Sequence, residues 1–347
     1  MPIIGKKSLL VTGGCGFIGS CFVRQRAKQG DDIIVLDALT YAGHRENLDE
    51  ITGPGTTKLV VGNICDRQLV TKLIEEYQVD AVINFAAESH VDRSINSPAE
   101  FIETNIRGTF TLLNSALEYW CKLPGGKKDS FRYIQISTDE VYGSLGQTGK
   151  FSETTPMAPN SPYSASKAAA DHLTRAWFHT YGLPTITTNC SNNYGPRQFP
   201  EKLIPHMIMC ALESKPLPVY GDGGNIRDWI HVEDHCRGLS LALELGKPGE
   251  TYCFGGNAEK NNLDVVRTIC RTLNRLRPKV DGKSHETGIS FVKDRLGHDR
   301  RYAIDDALAQ RELGFKREYD FEDGLTNTIQ WYLDNSTWCK AVTRKGY

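Results

Sequence analysis

Short apolar runs alternate with longer amphipathic stretches through the first half of the chain. The runs lie at 8–12, 33–37, 58–61, 81–85 and 133–137, with another at 184–189. Runs this short and this continuously apolar predict strands buried on both faces. Between them, residues 17–29, 66–77, 98–121 and 163–181 carry apolar positions at helical spacing. A parallel neighbour is reached only by a crossover, so strands alternating with helices predict a parallel sheet covered on both sides. Past residue 190 the pattern loosens around Pro196, Pro200, Pro205, Pro216, Pro218 and the turn Gly221-Asp-Gly-Gly224, which predicts shorter elements and loops. The expected architecture is α/β: a Rossmann-type doubly wound parallel sheet with a smaller C-terminal α/β substrate-binding domain. Residues 1–189 are assigned to the first and 190–347 to the second, with the chain free to cross back.

Charge and cysteine usage narrow the partners. With 41 Lys+Arg against 42 Asp+Glu over 347 residues and no long run of one sign, neither nucleic acid nor a membrane surface is expected as a partner. The ten cysteines form no CxxC pair and no His/Cys ligand spacing, so no metal and no disulfide framework are expected. They read as thiols of a reducing compartment, and the opening Met1-Pro-Ile-Ile-Gly-Lys-Lys7 has no secretory apolar region. The expected location is cytoplasmic.

Chemistry enters at the end of the first strand. Leu9-Leu-Val-Thr-Gly13-Gly14-Cys15-Gly16-Phe17-Ile18-Gly19 satisfies G-x-G-x-x-G through Gly14, Gly16 and Gly19, and the wider G-x-x-G-x-x-G through Gly13, Gly16 and Gly19. Glycines there let the backbone turn sharply and let a pyrophosphate reach the helix N-terminus. Asp37, ending the second strand about 20 residues on, is placed to accept from the adenosine ribose hydroxyls. A carboxylate there repels a 2′-phosphate and no Arg directly follows, so NAD is expected rather than NADP. Asn63-Ile64-Cys65-Asp66 is placed to meet the adenine, and Phe85-Ala86-Ala87 to pass close to the cofactor.

The stretch Ile134-Gln-Ile-Ser-Thr-Asp-Glu-Val-Tyr-Gly143 sets the hydroxyl of Thr138 beside two carboxylates, Asp139 and Glu140. Such a triplet either caps a helix or forms an acid–base pair. Tyr163-Ser-Ala-Ser-Lys167 opens a helical stretch, and four-residue spacing puts phenol and ammonium on one face. A phenol of ordinary pKa, about 10, is a poor base at neutral pH, and a neighbouring ammonium favours its ionised form.

Together, Thr12–Gly19, Ala86-Ala-Glu-Ser-His-Val-Asp-Arg-Ser94, Ser137–Gly143 and Tyr163–Lys167 resemble the extended short-chain dehydrogenase/reductase superfamily, and within it the nucleotide-sugar dehydratases. Residues 191–196, 199–205, 225–229 and 297–302 extend the resemblance over nearly the whole chain. It implies a lyase that converts dTDP-glucose to the 4-keto-6-deoxy sugar plus water. In that scheme Tyr163 takes the 4-hydroxyl proton while hydride leaves C4 for NAD+, with Thr138 and Lys167 orienting the pair. Glu140 then removes the C5 proton, Asp139 protonates the departing C6 hydroxyl, and hydride returns to C6. No net redox occurs, so NAD is expected to stay bound. The scheme demands opposite protonation states from neighbouring carboxyls. A nucleotide-sugar 4-epimerase or decarboxylase would share Tyr163 and Lys167 but needs no acid for the 6-hydroxyl. A noncatalytic NAD-binding scaffold would let a catalytic residue degrade.

The resemblance also implies the contacts. The cofactor set is Gly13, Gly16, Phe17, Ile18, Gly19, Asp37, Thr40, Asn63, Ile64, Phe85, Ala86, Ala87, Thr104, Tyr163, Lys167 and Asn193. The substrate set is Ser89, Thr138, Asn192, Lys202, Leu203, Pro218, Val219, Tyr220, Arg227, Asn262, Asp294, Arg295 and His298, with Pro218-Val219-Tyr220 placed to stack or pack on the base and Arg227 suited to the diphosphate. Leu296 stands where a proline is common in the family, and the connection from Gly143 to Phe151 is short. The helical stretches 98–121 and 163–181 are apolar on more than one face, which points to a homodimer.

Overall fold

The computed structural model describes residues 5–294 and 296–343. In chain order, β1 (Ser8–Thr12), α1 (Phe17–Gln29), β2 (Asp32–Asp37), β3 (Thr57–Val61), α2 (Arg67–Glu76) and β4 (Ala81–Asn84) come first. Then follow α3 (Val91–Asn96), α4 (Pro98–Phe101), a π-helical turn (Ile102–Gly108), α5 (Thr109–Lys122), α6 (Gly125–Ser130) and β5 (Arg132–Ile136). After α7 (Pro162–Tyr181) come β6 (Thr185–Cys190), β7 (Asn192–Tyr194), α8 (Leu203–Leu212), β8 (Leu217–Tyr220) and β9 (Ile226–His231). The chain continues through α9 (Val232–Leu245), β10 (Thr251–Phe254), β11 (Glu259–Asn261), α10 (Asn262–Leu276) and β12 (Ile289–Val292), and then α11 (Ala307–Leu313), α12 (Phe321–Asp334) and α13 (Ser336–Thr343).

The main sheet has seven strands in the order β10-β6-β5-β4-β1-β2-β3, every pair parallel. Its central strands are buried on both faces. Leu9, Val11, Ile33, Val35, Ile83 and Ile134 pack on one face, with α1, α9 and α11. Leu10, Ile34, Leu36, Val82 and Tyr133 alternate onto the other, with α2, α5 and α7. Each fully buried aliphatic side chain contributes roughly 1.5–3 kcal/mol of apolar transfer, so this two-sided core dominates the fold. β1 lies between β2 and β4, so the chain reverses its progress across the sheet there. The crevice beyond the carboxyl ends of those strands is where a doubly wound sheet takes its ligand.

Residues after 190 serve two bodies. β10 returns to the main sheet, pairing Thr251 with Thr187 and Phe254 with Cys190, and α9 and α11 cover that sheet. The remainder builds a second core from α8, α10 and α12 around Trp229, Ile208, Ile269 and Ile329, beside a three-stranded sheet β11-β9-β7. The expected single helix over 98–121 is interrupted by the π turn at Ile102–Gly108. Hydrophobic periodicity cannot reveal one widened turn, and such turns gather at functional sites. Here Thr104 lines the main cavity. Its neighbour Asn105 accepts from the Glu88 amide at 2.9 Å and donates to the Glu88 carbonyl at 3.0 Å and to Ser166 Oγ at 2.8 Å.

Candidate active site

The glycine turn closes against the end of β4. Gly13 has φ +67°, and a β-carbon there would lie 2.7 Å from the Ala86 nitrogen. A β-carbon on Gly19 would sit 2.3 Å from the Gly13 carbonyl oxygen. No other residue fits either place, so the turn stays thin enough for a pyrophosphate. Asp37 is buried, and its carboxylate accepts from the Cys15 and Leu39 amides, both at 2.8 Å. Burial raises its pKa while those two donors lower it. One cavity is lined by every residue of the expected cofactor set, from Gly13 to Asn193. Thr138, Asp139, Glu140, Ser89, Asn192 and Lys202 line the same cavity, so the dinucleotide crevice and the catalytic cluster are one space.

The catalytic cluster sits where β5 ends. Thr138 does cap a helix: its Oγ1 accepts from the Glu140 amide at 3.3 Å, starting a single 3₁₀ turn at 139–142. The cap leaves Asp139 pointing inward and 1% exposed. Its Oδ1 accepts from Thr138 Oγ1 at 3.3 Å, and Oδ2 has no hydrogen-bond partner among the described residues. Burial holds the Asp139 carboxyl well above the usual carboxylate range, reinforced by the charges of Glu140 and Asp228 and opposed by Arg227. Glu140, one residue on, is only partly buried. Two adjacent carboxyls thus occupy different environments, as the opposite protonation states require. Helix cap and acid pair are the same structure.

Tyr163 enters from α7, whose start is fixed by Pro162 and by a capping box between Ser161 and Ser164. The phenol lines the same cavity as Thr138, whose hydroxyl favours its ionised form, while burial and the Glu140 charge raise its pKa well above the ordinary value. Lys167 is buried one turn later, but its ammonium does not bond the phenol. Nζ donates to the Ile136 carbonyl at 2.6 Å, the end of β5, and its attraction is to Asp171. Four-residue spacing predicts phenol and ammonium on one face, and both line the cavity. The shared face brings both groups to the cavity, while a backbone acceptor and a carboxylate take the lysine's charge. Asp171 was not singled out in the sequence, although it continues the Tyr163–Lys167 stripe by a further four residues.

The expected substrate residues divide. Lys202 Nζ donates to the Ser89 carbonyl at 2.9 Å, joining two of them at the cavity rim. Arg227 is buried in the second body, donating to the carbonyls of Ile226 at 2.8 Å and Asp299 at 2.9 Å and lying 4.2 Å from the Tyr302 ring centre. Tyr220, Asp294 and His298 come together: His298 Nδ1 is 2.6 Å from Asp294 Oδ1, and the Tyr220 and His298 rings meet edge to face. Asn262 begins α10, its side-chain oxygen without a hydrogen-bond partner among the described residues. Along β8 the side chains alternate, so Pro218 and Tyr220 face outward while Val219 is buried in the second core. Leu203 also packs against that core and is absent from the cavity wall. The side chains of Val219 and Leu203 thus pack in the second core. Arg295 lies outside the described residues.

A dinucleotide crevice, a buried Tyr/Lys pair and an adjoining polar second body define an NAD-type enzyme of the extended short-chain dehydrogenase/reductase class. Residues 10–328 match the family model described as GDP-mannose 4,6 dehydratase. The dTDP-glucose 4,6-dehydratase of Xanthomonas campestris pv. campestris (strain B100) is 56% identical over 338 residues, covering 97% of this chain and 96% of that one. The Escherichia coli (strain K12) dTDP-glucose 4,6-dehydratase 1 is 52% identical over 349 residues, covering 98% and 96%. Among solved structures, the dTDP-glucose 4,6-dehydratase DesIV of Streptomyces venezuelae, with NAD and TDP bound, superposes with a TM-score of 0.87 at 44% identity, covering 96% of this chain and 99% of that one. The chain belongs to this family of nucleotide-sugar 4,6-dehydratases.

Proposed function

We propose that this protein is an NAD-dependent dTDP-glucose 4,6-dehydratase, a hydro-lyase that releases dTDP-4-keto-6-deoxyglucose and water. The observation that carries the reading is Asp139, a carboxyl buried in the same cavity as Tyr163 and the dinucleotide crevice, where burial favours its neutral form. An epimerase or decarboxylase has no step that uses such an acid. Gly13, Gly16 and Gly19 would hold the pyrophosphate of NAD and Asp37 its adenosine ribose; when bound, the cofactor supplies reversible hydride acceptance, from C4 and back to C6.

The protons are moved by this chain's own residues. Tyr163 takes the 4-hydroxyl proton through a contact that Thr138 orients. The 4-ketone so formed acidifies C5, and Glu140 removes that proton. Asp139 gives its proton to the C6 oxygen, which departs as water, and Glu140 later returns a proton to C5. Ser89, Asn192, Lys202, Asn262, Arg227, Arg295 and the Tyr220, Asp294 and His298 cluster are assigned to the sugar nucleotide, with the guanidinium groups on the diphosphate.

A homodimer is part of the proposal. Ile102 (57% exposed), Phe110 (43%) and Tyr181 (51%) leave an apolar surface on the π turn, α5 and α7, of the kind a second copy covers. A cytoplasmic location is also proposed, supported by ten cysteines that are all unpaired. No helix among the described residues is long and apolar enough to cross a membrane.

Incubation with dTDP-glucose and no added reductant tests the function. A product lighter by one water and carrying a 4-ketone is expected, and turnover confined to UDP- or GDP-sugars would overturn the substrate.

A further inference from the structure

Lys167 has a carboxylate one turn behind it on its own helix. Tyr163, Lys167 and Asp171 follow at four-residue steps along α7 and share a face. Asp171 is 2% exposed. Its Oδ2 accepts from Ser137 Oγ at 2.6 Å and from Asn189 Nδ2 at 3.4 Å, while Oδ1 has no hydrogen-bond partner among the described residues. Asp171 also lines a second cavity, on whose wall Glu153, His172, Arg175 and Asp305 lie. That cavity shares no lining residue with the active-site cavity.

Lys167 needs such a partner. An ammonium fully removed from water gives up its proton unless an opposite charge stands near. The Ile136 carbonyl that it bonds is neutral, and the Cys190 thiol facing it from the end of β6 is kept neutral by burial. Asp171 is thus the carboxylate that opposes the effect of burial on Lys167. Conversely, burial pushes Asp171 up to about 6, while Lys167, Ser137 and Asn189 favour its ionised form. The Tyr142 phenol, facing Asp171 from the 139–142 turn, is held protonated by its own burial.

We propose that Asp171 is a positioning residue of the active site: its carboxylate, anchored by Ser137 and Asn189, keeps Lys167 an ammonium in reach of Tyr163. The proposal rests on the dehydratase reading for its assay. Ionised Tyr163 starts the reaction, and charged Lys167 favours that ionisation, so Asp171 acts on the chemistry through two groups in series.

The test is Asp171→Asn, which keeps the shape and removes the charge. Turnover of dTDP-glucose should fall about tenfold or more at neutral pH, one pKa unit being a factor of ten, with KM within about twofold. The pH profile should narrow from both sides: the acid limb, where Tyr163 gains its proton, moves up, and the alkaline limb, where Lys167 loses its own, moves down. Ser137→Ala should move both limbs the same way by less, and Asp171→Glu should restore them. Independently of turnover, ultraviolet phenolate absorbance, read as the difference between Asp171→Asn with and without Tyr163→Phe, should place Tyr163 ionisation higher than in the parent pair. A folded Asp171→Asn protein with unmoved limbs overturns the proposal, whatever its rate; if that variant does not fold, unmoved limbs in Ser137→Ala do so. Wild-type inactivity on dTDP-glucose would sink the function reading instead and leave the Tyr163 titration to decide on Asp171.

Discussion

Replacing Asp139 by Asn separates the steps of the reaction. The amide keeps the size of a side chain that is 1% exposed, and it can still meet Thr138, so the fold and the first step are preserved. What is lost is the acidic proton that a buried, neutral carboxyl supplies to the departing C6 oxygen. A positioned general acid is worth about 10²–10⁴-fold, or about 3–5 kcal/mol of barrier, so turnover should fall by that factor. Mixing the variant with dTDP-glucose should still reduce bound cofactor, seen as nicotinamide absorbance, because Tyr163 and Lys167 are intact. In deuterated water the recovered sugar should also carry deuterium at C5, because Glu140 can still remove that proton. Glu140→Gln should reduce the cofactor without any C5 exchange. The same substitution has a stability signature. The Asp139 pKa is raised in the folded protein, so its contribution to stability is full below the unfolded value near 4 and is lost as pH rises through the folded value. Asn cannot ionise, so the variant should match the parent in denaturation at pH about 4 and exceed it at pH about 8. An Asp139→Asn protein that fails to reduce its cofactor, or that turns over normally, would refute the division of labour.

Gly19→Ala puts a β-carbon 2.3 Å from the Gly13 carbonyl oxygen; overpacking of about 1–3 kcal/mol should weaken NAD binding by about five- to hundredfold, read as cofactor retained through purification. Phe110→Glu places a charge on the exposed apolar surface of α5 and should shift sedimentation from dimer toward monomer without changing secondary structure. Arg227→Met removes a charge-assisted bond to a diphosphate, worth about 1.5–3 kcal/mol, and should raise KM by about ten- to hundredfold while leaving the pH limbs set by Tyr163 and Lys167 in place.

Elements made by one periodic signal were legible in the chain. β1, β2, β4 and β5 are apolar along their length because both faces are covered, and the glycine turn is marked by positions where a β-carbon would strike backbone. Asp37 was readable for a related reason, since it ends β2 about 20 residues past that turn. What the sequence hid depends on side chains choosing among partners in space. Lys167 turns to a strand-end carbonyl and to Asp171, and no spacing rule ranks those acceptors against a phenol. Val219 was expected at the base, yet alternation along a four-residue strand commits it to the second core. β10 is a short run 60 residues downstream of β6, and only the closed sheet shows that it belongs at the edge.

Thr138 stands between the two ends of the acid–base machinery: its hydroxyl donates to Asp139 Oδ1, and it lines one cavity with the Tyr163 phenol, whose ionised form it favours. On the proposed mechanism, a turnover leaves Tyr163 holding the proton of the 4-hydroxyl and Asp139 short of the one that left with water. Returning the hydride and reprotonating C5 corrects neither. A hydroxyl that passes its own proton to Asp139 as it takes one from Tyr163 resets both groups at once. The proton cycle then has a route to closure through neighbouring side chains, as the redox cycle closes on one cofactor.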